Sequence, residues 1–489
     1  MRSVSGLLKN LDYQIINGTV EGEISALVHD SRKVTEECMF VCIKGEKYDG
    51  HEHVEEITAK GARVLVAERV VEVPPEVTLV LVADTRYALS LLSAAYFDYP
   101  AEKLKVIGVT GTKGKTTTTY MIKGILEHAG YKVGLIGTIE TIIGDTHIPS
   151  ANTTPESYLI QEYFYRMAEA GCSVCVMEVS SQGLMMHRTA GIPFEIGVFT
   201  NLAPDHIGPN EHASFEEYAA CKGMLFKQCR LGIANGDDAH FDLVLGGHTC
   251  GLETIGFSKK ADYRASGAEL IGRPGYLGVR YHISGKLNMD VEIDVPGTFS
   301  VYNSLAAVAV CEHFNVSEED LKEALKVVKT RGRIEMIRVS EDFILMIDYA
   351  HNAMSLESLL LTLKEYQPRR LVCVFGCGGN RSRLRRYEMG EVSGRLADLT
   401  VITSDNPRYE EPQDIIDDIK TGMAKTDGAY VEISDRKEAI RYVIEHGEKG
   451  DVIVLAGKGH EDYQEIKGKK YPMDERELIR QVLQELSEI

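Results

Sequence analysis

The 489-residue sequence has no apolar run approaching the roughly 20 residues needed to cross a bilayer, which predicts a protein without membrane insertion. Its start, Met1-Arg2-Ser3-Val4, leads into mixed polar sequence and lacks the apolar stretch of a secretion leader. Positive charge is scarce: 54 Lys and Arg stand against 73 Asp and Glu, a net −19, which argues against a nonspecific nucleic-acid binder. There is no short-period repeat and no low-complexity tract. Ten cysteines are present, but no second Cys/His pair at metal spacing accompanies Cys172-x-x-Cys175, so that pair reads as part of a buried strand and not as a zinc or redox site. Scattered thiols without a leader predict the reducing cytoplasm.

What is present is an ordinary globular composition, 44% hydrophobic and 26% charged, in a chain too long for one core. Three blocks separate. Residues 1–100 carry short strand-like runs (Met39 to Ile43, Arg63 to Ala67, Val77 to Val82) and a helix, Ala88 to Phe97. Residues 101–332 alternate strands and helices and turn richer in β-type segments between about 250 and 295. Residues 333–489 restart the alternation after Thr330-Arg331-Gly332-Arg333, which reads as a linker. The prediction is an α/β protein of three domains: a smaller N-terminal α/β domain, a central doubly wound domain and a Rossmann-like C-terminal domain.

The stretch Val106 to Thr118, V-I-G-V-T-G-T-K-G-K-T-T-T, has the layout of a phosphate-binding loop. An apolar run ends in glycines, a lysine and hydroxyls, and a helical pattern (Thr117 to His128) follows. Backbone N–H groups at a helix N-terminus cradle phosphate oxygens, the lysine neutralises them and a hydroxyl serves Mg²⁺. The general pattern wants Gly where Val109 stands, so this is a variant loop.

In doubly wound sheets, ligands bind beyond the carboxyl ends of the strands. In the middle block, the predicted strands run into the phosphate loop, into Glu178-Val179-Ser180-Ser181 and into Thr200 to His206. In the last block they run into Asp348-Tyr349-Ala350-His351, Gly376 to Arg381, Ser404-Asp405-Asn406-Pro407-Arg408 and Gly457 to Glu461. Seven polar or glycine-rich endings favour two ligand-binding edges. Lys115 and Thr116 are the strongest assignments. Glu178 suits Mg²⁺; His206 reads as structural from its chemistry, since Mg²⁺ prefers oxygen. Lys222, in the helical pattern Phe215 to Phe226, is an ordinary helix lysine. The run Arg381, Arg383, Arg385, Arg386 reads as a solvated loop or a carboxylate clamp. With Arg408 and Glu461 near one edge, it fits a zwitterionic ligand. Bottom-up, this is an ATP- and Mg²⁺-dependent enzyme with a small charged acceptor.

T-G-T-K-G-K-T-T-T, then E-V-S-S, T-N-L-x-x-D-H, an A-A-C-K helix and D-Y-A-H, in this order, resemble the Mur ligases of peptidoglycan synthesis. Asp405 to Arg408 and Gly457 to Gln464 look like the branch that adds the third peptide residue. The resemblance implies an ATP-dependent amide ligase acting through an acyl phosphate, with two Mg²⁺ ions and a UDP-MurNAc-dipeptide (UDP-MurNAc-L-Ala-D-Glu) as substrate. It implies ATP binding by Gly111, Thr112, Lys113, Gly114, Lys115, Thr116 and Thr117, with Asn303, Arg333 and Asp348 at the adenosine. Thr116 and Glu178 would hold one metal. His206 and a carbamylated Lys222 would hold the other, which turns that lysine into an oxygen ligand. Lys115, Lys222 and His206 would be catalytic. Ser31 would meet the uridine nucleotide, and Asn152, Thr153, Thr154, Ser180 and Arg188 the muramoyl-dipeptide. Arg386, Asp405, Asn406, Pro407, Arg408, Gly457 and Glu461 would bind the incoming amino acid. Closure of the last domain would exclude water.

Three positions depart from the branch that adds diaminopimelate: Lys113 where Asn is frequent, Met186 where Gln is common, and Asp205 to Pro209, which is closer to the lysine-adding branch. Arg408 weighs the other way, since it would attract a distal carboxylate and repel a distal ammonium. Diaminopimelate is therefore the expected acceptor and L-lysine the alternative. A monomer is expected. A non-ligating nucleotide switch would leave the last block's strand ends idle, and a folylpolyglutamate-type ligase would not need a uridine-type first domain.

Overall fold

A computed structural model describes residues 1–46, 48–208 and 211–488. The chain divides into two compact units, residues 1–262 with 306–316, and residues 263–305 with 317–489. No helix among the described residues is long and apolar enough to cross a membrane.

Besides a two-stranded ribbon of Arg2–Ser3 and Glu23–Ile24, the first unit holds two larger sheets among the described residues. The N-terminal one has five strands in the order Gln14–Asn17, Thr78–Leu81, Val64–Ala67, Met39–Val41, Leu27–Val28, parallel except for the first. The larger one carries a parallel run ordered Val133–Ile136, Val174–Glu178, Lys105–Thr110, Phe194–Phe199, Cys229–Asn235, Gly251–Gly256. Its central strands are buried on both faces, as their near-continuous apolar runs require. The first strand in sequence lies in the middle of this run, so its C-terminal end is where strand order reverses and a crevice opens. Glu178 pairs with Val109 and Phe199 with Thr110, so three loops leave from one edge.

In the second unit, three antiparallel strands (Tyr263–Arg273, Tyr276–Gly285, Met289–Ile293) account for the β-rich stretch. Its other sheet is ordered Glu335–Ile337, Ile344–Asp348, Val452–Ala456, Leu371–Phe375, Leu399–Ile402, Tyr430–Glu432, with only the first strand antiparallel. Asp348 and Phe375 both pair with Ala456, and Phe375 with Ile402, so four loops again share an edge.

Three local expectations shift. The helix after the phosphate loop begins at Lys115, two residues early, because Gly114 takes a left-handed φ of 85° and turns the chain directly into the helix. The helix Phe215–Gly223 stops short of Phe226 and tightens into a 3₁₀ turn, Met224–Lys227. The join at Thr330 to Arg333 has no regular structure, but it is packed and not loose: Thr330 is buried, and a Cβ on Gly332 would lie 2.1 Å from the His460 nitrogen. Cys172 and Cys175 are buried, as expected, at and just before the strand Val174–Glu178. All ten cysteines are free.

Gly111 has φ 149°, and a Cβ there would stand 2.0 Å from Thr200 Oγ1. Gly111→Ala is expected to cost about 1–3 kcal/mol of folding stability, read as a lower urea midpoint; an unchanged midpoint would contradict this loop conformation.

Candidate active site

At the first unit's edge, the loop Gly111 to Gly114 is braced by the end of the neighbouring strand. Thr112 N–H donates to the Asn201 carbonyl and Lys113 N–H to Asn201 Oδ1, each at 2.9 Å. Thr200 Oγ1 and Asn201 Nδ2 donate to the Lys113 carbonyl at 2.7 and 2.9 Å. Lys115 and Thr116 then open the helix, where N–H groups lack intrahelical partners.

Glu178 is fully buried at its strand end. Thr116 and Thr138 hydroxyls each donate to Oε2 at 3.0 Å, and Thr138 N–H donates to Oε1 at 2.8 Å. Thr138 also meets Thr153 hydroxyl to hydroxyl at 3.0 Å, and Thr154 Oγ1 donates to the Glu178 carbonyl. Ser180 N–H donates to Thr154 Oγ1, and Arg188 Nη1 to the Thr154 carbonyl. The structure thus brings Thr116, Thr153, Thr154, Glu178, Ser180 and Arg188 into one connected group. Asn152 is exposed in the preceding loop, and Ser31 opens a short 3₁₀ turn in the N-terminal block.

Lys222 is 1% exposed, and its Nζ donates to the Gly111 carbonyl at 2.9 Å. Lys115 Nζ donates to the same oxygen at 2.9 Å. Burial, and secondarily the nearby Lys115 charge, push the Lys222 amine well below its usual range. Its Nζ lies over the Tyr218 ring, 4.4 Å from the centroid; His206 approaches the same ring at 6.2 Å. His206 is exposed, has φ 54° and meets Glu211 Oε1 at 3.1 Å. Among the described residues, no three His, Cys, Asp or Glu side chains cluster at metal spacing. Hard oxygen donors are nevertheless present: the Thr116 hydroxyl and the Glu178 carboxylate suit Mg²⁺.

The second unit's edge gathers Asp405, Asn406, Arg408, Gly457 and Glu461. Asn406 Nδ2 donates to Glu461 Oε2 at 3.0 Å. Arg408, at φ 52°, donates from Nε to Glu465 Oε2 at 3.0 Å and from Nη1 to the Gly379 carbonyl at 2.7 Å. Its Nη2 and Glu461 Oε1 have no hydrogen-bond partner among the described residues. Burial raises the Glu461 carboxyl, but the Lys458 charge and hydrogen bonds from Lys458 and Asn406 outweigh it and hold the group below its usual range. Also in this unit, the Arg333 guanidinium lies over the Tyr349 ring at 4.6 Å, Asp348 accepts from Ile334 and Ala350 N–H, and Asn303 is buried.

Arg386, expected at the acceptor, is 1% exposed; its Nη1 and Nη2 each meet Glu410 at 2.8 Å and Nη1 meets Asp418 at 2.9 Å, while its buried Nε has no hydrogen-bond partner. That bidentate pairing pushes Glu410 down to about 2. The exposed arginines of the run are Arg381 and Arg383; the Cγ of Arg381, like Arg408 Nη1, lies within 4 Å of where a Gly378 side chain would point. Sequence reasoning also passed over Thr138, for which nothing local signals a role, and Lys458, whose position just past an apolar strand was a usable signal. Pro209, part of the segment likened to the lysine-adding branch, lies outside the described residues.

Three family descriptions match in chain order: Mur ligase family, catalytic domain, at 23–97; Mur ligase middle domain at 109–311; and Mur ligase, glutamate ligase domain, at 332–459. A UDP-N-acetylmuramoyl-L-alanyl-D-glutamate–2,6-diaminopimelate ligase of Clostridium acetobutylicum is 43% identical over 98% of this chain and 99% of its own. The chain belongs to the Mur ligase family. A ligase of the same name from Geobacillus thermodenitrificans is 40% identical to this Mur ligase over 95% of each chain. A solved structure of such a diaminopimelate ligase superposes with TM-score 0.73 at 29% identity over 99% of each chain. A folylpolyglutamate synthase of Mycobacterium tuberculosis shares the fold alone, with TM-score 0.60 at 16% identity over 76% of this Mur ligase and 92% of that chain.

The two arginines make opposite predictions. Arg386→Met leaves two carboxylates without their buried partner and should cost roughly 3 kcal/mol of stability. Arg381→Ala should change stability by less than about 0.5 kcal/mol. Urea denaturation of both variants checks this, and equal losses would contradict the assignment.

Proposed function

We propose that this Mur ligase joins meso-2,6-diaminopimelate to the D-glutamate of UDP-N-acetylmuramoyl-L-alanyl-D-glutamate, with ATP converted to ADP and phosphate. The observation that carries the acceptor is the pairing of spare groups at one edge: an uncommitted guanidinium nitrogen on Arg408 and an uncommitted carboxylate oxygen on Glu461. Arg binds carboxylate and Glu binds ammonium, so a zwitterion with a distal carboxylate is favoured over lysine. The names of the relatives support the same choice. Domains 1–100, 101–332 and 333–489 would serve uridine, ATP and amino acid in turn, in a monomer working in the cytoplasm.

The loop and helix start Gly111 to Thr117, with the Thr112 and Lys113 N–H groups held by Asn201, takes the phosphates through the helix N-terminus and the Lys115 ammonium. Ser31 holds the uridine end, and Asn152, Thr153, Thr154, Ser180 and Arg188 hold the muramoyl-dipeptide. Asn303, Arg333 and Asp348 take the adenosine. The D-glutamate carboxylate attacks the γ-phosphate, forming the acyl phosphate and releasing ADP. The acceptor amine then attacks that carbonyl and phosphate leaves. Arg386, Asp405, Asn406, Pro407, Arg408, Gly457 and Glu461 orient the acceptor. Thr116 and Glu178 would hold one Mg²⁺, and His206 with a carbamylated Lys222 a second; bound there, the ions neutralise charge on the phosphoryl oxygens. Burial lowers the Lys222 amine, which favours the unprotonated form that adds carbon dioxide.

Purified enzyme supplied with ATP, Mg²⁺ and the UDP-dipeptide should release phosphate when meso-diaminopimelate is added and far less with L-lysine; a preference for lysine would overturn the Arg408 argument. Arg408→Ala should lower kcat/KM for diaminopimelate by about tenfold or more, the worth of one charge-assisted pair. Lys222→Ala should abolish turnover, and ¹³C-bicarbonate should give a carbamate NMR signal in the parent that the variant lacks. Full activity in Lys222→Ala would remove that lysine from the metal site.

A further inference from the structure

Lys458 follows the strand Val452–Ala456 by two residues and is 0% exposed. Its ammonium donates to Glu461 Oε2 at 2.7 Å, to Asn406 Oδ1 at 3.1 Å and to the Tyr463 carbonyl at 2.6 Å. Asp405 Oδ1 lies 3.8 Å away. All three donors are therefore used, and two of their acceptors are side chains of the proposed acceptor site.

This arrangement fixes how those side chains face. Asn406 Oδ1 accepts from Lys458 and from the Glu465 N–H at 2.8 Å, so a flipped amide would set its NH₂ against an ammonium and an N–H. Asn406 Nδ2 must then turn to Glu461, where it donates to Oε2 at 3.0 Å. Glu461 Oε2 takes both Lys458 and Asn406, which leaves Oε1 as the oxygen with capacity to spare. A buried ammonium persists only when paired, and here the partners are the groups whose aim decides binding.

We propose that Lys458 is a positioning residue for the acceptor: it locks the Asn406 amide and the Glu461 carboxylate so that Glu461 Oε1 is presented to the acceptor's ammonium group. This rests on the reading of Asn406 and Glu461 as acceptor-binding residues. Lys458 itself does not touch the amino acid. Its loss should act on acceptor binding and not on ATP or the UDP-dipeptide.

The test is steady-state kinetics of the full-length enzyme with Lys458→Met, a substitution close in length that removes every donor. KM for meso-diaminopimelate should rise about tenfold or more, as expected for a misaimed binding group, while KM for ATP and for the UDP-dipeptide stay within about twofold. If Lys458→Met does not fold, Lys458→Gln, which keeps one donor, should show the same selective rise. In a Glu461→Gln background, adding Lys458→Met should change the acceptor KM by less than about twofold, because the two act as one unit. An unchanged acceptor KM, an equal rise in all three KM values, or full additivity of the two substitutions would overturn the proposal. Parent enzyme that ignores diaminopimelate would instead remove the functional reading on which it rests.

Discussion

Two lysines donate to one carbonyl oxygen, that of Gly111, and much of the first unit is arranged around that fact. Two ammonium groups on one acceptor repel each other, and one of them is fully buried. Burial and that repulsion together push the Lys222 amine well below its usual range. At Gly111, whose φ is 149°, the missing side chain leaves room for Thr200. The loop Gly111 to Gly114 and the helix Phe215–Gly223 are tied together by the Gly111 carbonyl oxygen and by the Thr112 and Tyr218 hydroxyls, 3.1 Å apart.

The second unit solves a related problem by counting donors against acceptors. Lys458 spends all its donors on named partners, and so fixes which oxygen of Glu461 is left over. Glu465 spends one carboxylate oxygen on Arg408 Nε, and the backbone of Arg408 pairs with the strand Tyr463–Ile466 through the Glu465 carbonyl and the Lys467 N–H. Arg408 is thus pinned at its backbone and at one side of its guanidinium, with Nη2 still spare. Its left-handed φ of 52° is the kind of backbone strain that persists where surrounding contacts over-determine a residue.

The sheets and their working edge were legible in the sequence because parallel strands buried on both faces read as continuous apolar runs, and because the loops after them must carry the polar residues. Lys115, Thr116 and Glu178 were legible for the same reason. What could not be read was partnership across long separations. Lys222 meets Gly111 from 111 residues away. Arg386 is consumed by Glu410 and Asp418, which are set by how the helix Pro412–Met423 packs and by no local pattern. Thr138 orients Glu178 from a turn with no distinguishing composition.

The arginines of the second unit show why residue type alone misleads. Arg386, Arg408 and Arg436 all serve loops at the same sheet edge. Arg436 is 3% exposed and divides its nitrogens among Glu475 and the Ser404 and Ala456 carbonyls. Arg386 meets two carboxylates in equal burial. Each buried guanidinium is tied to carboxylate, so taking a further carboxylate would mean sharing or exchanging a partner and desolvating both. Arg408 meets one carboxylate, keeps a nitrogen in reserve and remains partly open to water. What distinguishes Arg408 is its single carboxylate partner, set by neighbours far apart in sequence, together with its access to water.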